Sequence, residues 1–430
     1  MNNFVIGNGI VLDGMNTFVE NGAVFISDGK IEKIGSFEKS RFPDVDFIDV
    51  GGRLIMPGFL NPHHHLYSSL AVGLAPAGDV DNFVNLLKSL WWKLDASLDE
   101  ESVYVSAMVG IIDSVKHGVT TIFDHHASMN FVRGSLNTIS KAFEIAGIKG
   151  LLCFETSDRM GIADAERHIE ENIDFFERHR NNRNIKGAFG MHANFTLSEE
   201  TLNKIADRKP EDMPIHIHCG EDFYDFQYCR EFGYSGPVDR LDRYELIDDK
   251  SILAHAIHLS ERDYDIIGEK RPIVVSNPES NANNRVGKID RDRIKNFILG
   301  TDGMSGDMIA TLRSFYLLHG GIDEDFSEMQ KSFFAQRYLV QRKFFSETGE
   351  FREGMDADVV VVDYVPATEI SPENVMGHLI FGAKSSKAYL TISNGKIIYR
   401  DGKITFIDED VFVKEAKKTA GALWKKFFDK

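Results

Sequence analysis

Apolar and polar positions alternate at both ends of the chain and gather into short unbroken apolar runs in its middle. From residue 3 to 56, stretches such as AVFISDGKIEKIG and DFIDVGGRLIMPG mix apolar runs with Gly and Asp turns, which predicts short antiparallel strands and hairpins. The tail repeats this texture: GMDADVVVVDY leads into KAYLTISNGKIIYRDGKITF, where Asn394-Gly395 and Asp401-Gly402 are hairpin turn signals. Between the two ends lie eight apolar runs separated by longer helical stretches: IMPGFLN, GVTTIFDH, IKGLLCFET, IKGAFGMHA, MPIHIH, SILAHA, RPIVVSN and NFILGTD.

Eight strand–helix units in succession predict an α/β fold built on a (β/α)8 TIM barrel, whose reactive groups sit at the C-terminal ends of the strands. The β-rich ends are expected to meet as a second, small, discontinuous β-sandwich domain with the barrel inserted between them. The expected division is residues 1–56 for the first part of the β domain, 57–345 for the catalytic barrel, and 346–430 for the rest of the β domain plus a terminal helix. That helix, EAKKTAGALWKKFFDK, is basic and amphipathic and is read as a solvated terminal element.

Charge narrows the function classes. In 430 residues, 49 Lys and Arg face 66 Asp and Glu, a net charge of −17 that disfavours gripping nucleic-acid phosphates or an anionic membrane. A small-molecule substrate is the expected partner. Cys153, Cys219 and Cys229 include no C-x-x-C pair, which speaks against a disulfide framework or a cysteine zinc site. The segment MNNFVIGNGIVLDG lacks a basic stretch followed by an apolar one, and no run of 18 apolar residues occurs, so a cytoplasmic location is expected.

Histidines and carboxylates close the apolar runs. In His63-His64-His65, strand alternation turns His63 and His65 to one face and His64 to the other, so two imidazoles one pleat apart can share a cation. His216-Ile217-His218-Cys219-Gly220-Glu221 repeats the pattern and adds a carboxylate just past the strand end. His255 closes SILAHA, and Asp302, in Gly300-Thr301-Asp302-Gly303, follows NFILG. Three imidazole sites and one carboxylate at four strand ends form a nitrogen–oxygen set suited to Zn²⁺ or Fe²⁺ with a position left open for water. Such an ion lowers the pKa of bound water toward neutrality, and Glu221 is placed to move the released proton to a leaving nitrogen.

PGFLNPHHH, HIHCGE, LAHAIHLS, NPESN, GTDG and the closing GMDADVVVVD, in this order, resemble the amidohydrolase superfamily, in particular its chlorohydrolase and cytosine-deaminase-like aminohydrolases. SLWWKLDASLDEES, FDHHAS, CFETSDR, HCGEDFYD and SNANNRVG are similar to the SsnA-type aminohydrolases, a group associated with purine catabolism. The resemblance implies that His63, His65, His218 and Asp302 hold one divalent ion, zinc first and iron as the alternative. It further implies that Asp302 accepts a proton from the attacking water, His255 polarises or orients that water, Glu221 shuttles the proton and His192 contacts substrate. Binuclear members carry a modified Lys at the fourth strand's end; here Lys186 begins that strand and His192 ends it, which favours a single ion. A homodimer is expected because relatives commonly form one.

Several residues carry weaker expectations. His125 and His126 are candidate pocket groups, Asn281 a residue shaping the backbone over the pocket, and Arg285 a contact for a substrate oxygen. Trp91 and Trp92 are read as core or interface residues, with stacking on a heterocycle as the alternative. Many relatives carry an Arg where this chain has Val72, so no ligand contact is expected there. Cys219 points off the metal face and is read as a small buried residue.

Other chemistries lose support. His168-Ile169-Glu170 supplies only half of the H-x-E and P-C-x-x-C pattern of the other zinc deaminases, and neither a phosphate-binding G-x-x-x-x-G-K-[ST] loop nor a G-x-S-x-G elbow occurs. Three readings remain: deamination of a purine- or pyrimidine-like heterocycle, ring opening of a cyclic amide or ureide such as a reduced purine by the same machinery, and a metal-binding scaffold without activity.

Overall fold

The β-rich ends pair with each other. The structure is a computed structural model describing residues 3–36, 45–323, 325–383 and 387–429. β1 (Phe4–Leu12), β2 (Phe18–Ser27) and β3 (Lys30–Ser36) form an antiparallel meander. β4 (Asp46–Asp49) and β5 (Leu54–Pro57) both run parallel to β1. The run IMPGFLN is divided at Gly58, where a Cβ would fall 2.3 Å from Thr120 Oγ1, so only glycine lets the chain pass.

Beyond that point the strands are parallel. β6 (Phe59–His64), β7 (Val119–His126), β8 (Lys149–Phe154) and β9 (Ile185–Gly187) make one sheet, paired in chain order. β10 (Phe189–Ala193), β11 (Ile215–Cys219), β12 (Ile252–His255), β13 (Ile273–Ser276) and β14 (Phe297–Leu299) make a second. The run IKGAFGMHA supplies both β9 and β10, parted only at Ala188. Isolated parallel bridges link the two sheets, Thr156 to Met191 and His64 to Asp302. Helices connect most successive parallel strands, as parallel pairing requires. Glu100–Lys116, Glu199–Arg208 and Glu261–Lys270 start on side-chain caps from Asp99, Ser198 and Ser260. Leu60, Phe123, Leu151, Ala188, Ile252, Val275 and Ile298 pack into a single apolar cluster drawn from both parallel sheets. This is an α/β fold with parallel sheets, and the candidate histidines, with Glu221 and Asp302, stand at or just past the C-terminal ends of the strands.

β15 (Val359–Val362) returns antiparallel to β5, pairing Val359 with Pro57 and Val362 with Leu54. β16 (Leu390–Ser393), β17 (Lys396–Arg400) and β18 (Lys403–Ile404) follow as hairpins. Their turns lie at Asn394-Gly395 and Asp401-Gly402, all four residues at positive φ. Hydrogen bonding joins both chain ends in one continuous nine-stranded sheet. The terminal helix, Glu409–Asp429, is not simply solvated: Phe412, Ala416, Leu423 and Phe427 are buried, and the Trp424 indole N–H donates to the Leu70 carbonyl at 2.8 Å. Its apolar stripe is wide enough to pack on the body of the protein, leaving the lysines outside. Among the described residues no helix is long and apolar enough to cross a membrane.

Candidate metal centre and reaction cavity

Alternation in β6 and β11 does what the sequence predicts. His63, His65, His218 and Asp302, all buried, each direct one ligand atom into a common space in which all four lie within 4.8 Å of one another. His64 turns the other way, with its Nδ1 2.7 Å from the Asp302 carbonyl and 2.9 Å from Thr301 Oγ1. Tautomers follow from the partners. His65 Nδ1 donates to the His125 carbonyl at 2.6 Å and His218 Nδ1 to the His192 carbonyl at 2.9 Å, so both Nε2 atoms carry lone pairs. These lone pairs face each other at 3.0 Å, and Asp302 Oδ1 lies 2.7 Å from His65 Nε2 and 3.4 Å from His63 Nε2. His63 Nδ1 is taken up by His216 Nε2 at 2.9 Å, and its buried Nε2 has no hydrogen-bond partner. With the rings neutral, three imidazole nitrogens and a carboxylate converge here, a donor set that fits a divalent cation. The same convergence acts on protons: burial opposes a charge on His65, yet neighbouring Asp302 raises it to about 9, whereas burial drives His63 and His218 well below the usual histidine range.

Glu221 and His255 complete the centre. His255 Nε2 is 3.6 Å from Glu221 Oε2 and 3.8 Å from Asp302 Oδ2. Its Nδ1 lies 2.7 Å from Asn281 Oδ1, which fixes the ring. His255 and Asp302 both adopt left-handed backbone, φ 74° and 55°, a strain of about 1–3 kcal/mol each that the surrounding strands must hold. Burial pushes the Glu221 carboxyl up to about 7, with His255 pulling against it. A carboxyl poised near neutrality can accept a proton and return it.

The centre opens into a cavity of about 100 Å³ bounded by Tyr67, Phe83, Trp91, Trp92, Asp95, Glu155, His192, Glu221, Ser280 and Asn284 among others. His192 lines the cavity, and Trp91 and Trp92 both border it and pack on the apolar cluster of Phe83, Leu87 and Val286. The other expected substrate contacts do not line it. His125 is buried behind the ligands, its Nε2 3.1 Å from the carbonyls of Met191 and His216; His126 pairs with Ser128 Oγ at 2.8 Å. Asn281 acts on His255. Arg285 is exposed in left-handed conformation at the end of the helix Pro278–Asn284, where it caps the turn, and it is not among the residues lining the cavity. Lys186 Nζ reaches the Arg180 carbonyl, far from a ligand role, and Cys219 packs in an apolar cluster.

Sequence reasoning missed Asp95, Glu155 and Arg159. Arg159 donates to Asp95 Oδ2 at 2.8 Å and to Glu155 Oε1 at 2.7 Å. Glu155 did carry a signal, since it closes β8 as His218 closes β11. Asp95 carried none, because its partner lies 64 residues away. Burial opposes charge on Glu155, but His192, His125 and Arg159 hold its carboxyl well below the usual carboxylate range.

Comparison with known proteins agrees with this geometry. The sequence model of the amidohydrolase family matches residues 54–398. The 5'-deoxyadenosine deaminase of Methanocaldococcus jannaschii is 28% identical over 421 residues, 94% of this chain and 97% of that protein. Among solved structures, an adenosine deaminase from Xanthomonas campestris with bound zinc superposes with a TM-score of 0.85 at 20% identity, covering 98% of each chain. Guanine deaminase of E. coli superposes with a TM-score of 0.78 at 19% identity, covering 93% of this chain and 99% of that one.

Proposed function

The chain belongs to the amidohydrolase family, and on that premise we propose that it is a metal-dependent aminohydrolase releasing ammonia from a purine- or pyrimidine-like nitrogen heterocycle. The observation that carries this reading is the convergence of three imidazole nitrogens and the Asp302 carboxylate beside Glu221, a carboxyl poised near neutral pH. The names of the relatives, deaminases of adenosine derivatives, support it.

His63, His65, His218 and Asp302 would hold one divalent ion, zinc in first place, which supplies a Lewis acid that makes water nucleophilic near neutral pH. The residues do the rest. Trp91 and Trp92 provide aromatic walls for a planar ring, and His192 contacts its edge. Ionised Glu221 takes a proton released from the attacking water and delivers it to the nitrogen that leaves as ammonia. His255, held by Asn281, keeps its Nε2 turned toward the space shared with Glu221 and Asp302, where it orients the incoming water. Ser280 donates to Asp302 Oδ2 at 2.5 Å and keeps that carboxylate in place.

On the same reading the two parallel sheets are one eight-stranded barrel, β9 and β10 serving together as its fourth strand, in residues 57–345. Residues 1–56 and 346–430 form a second domain. The bridges at both sheet margins and the shared cluster around Phe123 support this.

The test is mass spectrometry of products after incubating zinc-loaded protein with aminopurines, aminopyrimidines, reduced purines and cyclic ureides. Replacement of an amine by oxygen with ammonia release is expected. Addition of a whole water with nothing lost would replace this reading by ring opening.

A further inference from the structure

The wall of the cavity that Arg159 organises has a chemistry of its own. Arg159 gives NH1 to Asp95, NH2 to Glu155 and Nε to Ser157 Oγ at 3.0 Å, and its guanidinium lies 5.0 Å from the Trp92 ring. Its side chain is 8% exposed, so it is committed to the protein and not free to grip a ligand anion. Asp95 and Glu155, in contrast, line the cavity, which has no Lys or Arg in its wall among the described residues. Asp95 Oδ1 is buried without a hydrogen-bond partner. Glu155 stands close to the centre, one of its oxygens within 4.8 Å of a ring nitrogen of His218. Burial pushes the Asp95 carboxyl up to about 7 against the pull of Arg159, whereas Glu155 stays ionised, so Glu155 is the standing acceptor of this wall. A buried acceptor that stays unpaired when a ligand fills the cavity costs binding, and a ligand that donates to it recovers that cost.

Resting on the aminohydrolase reading, we propose that Glu155, fixed by Arg159, determines specificity by requiring an N–H on the edge of the heterocycle that meets it. Free bases with a ring N–H are taken. Derivatives whose corresponding nitrogen carries a methyl or sugar are refused, which sets this chain apart from relatives named for adenosine derivatives. Glu155 is the residue that reads the substrate, and Arg159 is a positioning residue.

The experiment compares three pairs with the same reactive carbon: adenine and 9-methyladenine, guanine and 9-methylguanine, cytosine and 1-methylcytosine. In zinc-loaded wild-type protein kcat/KM for the accepted base exceeds that of its N-methyl partner by about 10–100-fold. In Glu155→Gln the ratio falls by about tenfold or more. Steric exclusion of the methyl group would leave the ratio unchanged, and that result overturns the proposal, as does equal use of both partners by the wild type. Arg159→Lys, which loosens the hold on Glu155, gives a second reading, with a smaller fall, should Glu155→Gln not fold. Calorimetric binding of the same six compounds to zinc-loaded Glu221→Gln, alone and combined with Glu155→Gln, separates this inference from the function on which it rests. N–H-selective binding without turnover in the wild type would sink the aminohydrolase reading and leave the selectivity standing. Turnover without selectivity would do the reverse, and no binding by any compound overturns the selectivity.

Discussion

His65 Nε2 and His218 Nε2 stand 3.0 Å apart while the Nδ1 of each is spent on a backbone carbonyl, that of His125 for one ring and that of His192 for the other. The carbonyls belong to the ends of β7 and β10, so the neighbouring strands orient both rings and leave their Nε2 atoms placed to share a cation. Loss of either ring should therefore remove the ion. His65→Ala and His218→Ala are expected to weaken metal binding by more than the ~10–100-fold typical for losing a supporting partner. Elemental analysis after dialysis checks this: about one equivalent in the wild type and close to none in either variant.

Glu221 sits beside the cluster of His63, His65, His218 and Asp302. Glu221→Gln is expected to lower kcat by about 10²–10⁴-fold with the metal content unchanged. The pH profile gives the sign: burial raises this carboxyl to about 7, so below that pH it is protonated and cannot accept the first proton. Activity falls as pH drops through about 7, and the residual activity of the variant lacks this limb. A limb that persists in Glu221→Gln would assign the proton shuttle elsewhere.

Asn281 touches the reaction only through His255. Asn281→Ala removes the buried acceptor 2.7 Å from His255 Nδ1 and frees the ring to turn. A loss of about 10–100-fold in kcat is expected, with metal content and KM close to wild type. A rise in KM alone would make Asn281 a substrate contact instead.

Lys149 joins the parallel sheet to the nine-stranded one. Its ammonium is buried, 2.7 Å from Asp358 Oδ2, 3.2 Å from Asp356 Oδ2 and 2.8 Å from Asn394 Oδ1. Lys149→Met strands the buried Asp358 carboxylate and is expected to destabilise the protein by about 3–5 kcal/mol, read as a lower urea midpoint. Burial opposes the charge on Asp358, but Lys149 depresses its pKa. The pair thus stabilises fully above the ordinary carboxylate pKa, and its contribution fades as pH falls through the depressed value.

Much of the centre was legible in the sequence because it is written in strand periodicity. Residues two apart share a face, so His63 with His65, and His64 against them, follow from local geometry alone. The hairpins at Asn394-Gly395 and Asp401-Gly402 were legible for a similar reason, since their backbone angles depend on those two residues. The apolar stripe of the C-terminal helix was legible too, but whether a surface would cover it was not.

What the tertiary structure alone decided is which distant groups meet. His64 finds the Asp302 carbonyl across 238 residues, and Arg159 finds Asp95 across 64. No local pattern encodes such distances. Arg285, expected to meet a substrate oxygen, caps the end of a helix, exposed and outside the cavity lining. Glu155, at an equally ordinary strand end, was turned inward and ionised by the imidazoles and guanidinium around it. The sequence by itself determined the faces of the strands and the chemical types on them, because these depend on backbone alternation over a few residues. Which faces converge, and which charges are buried together, depends on packing between strands far apart in the chain, where desolvation and pairing fix each group's partner and protonation.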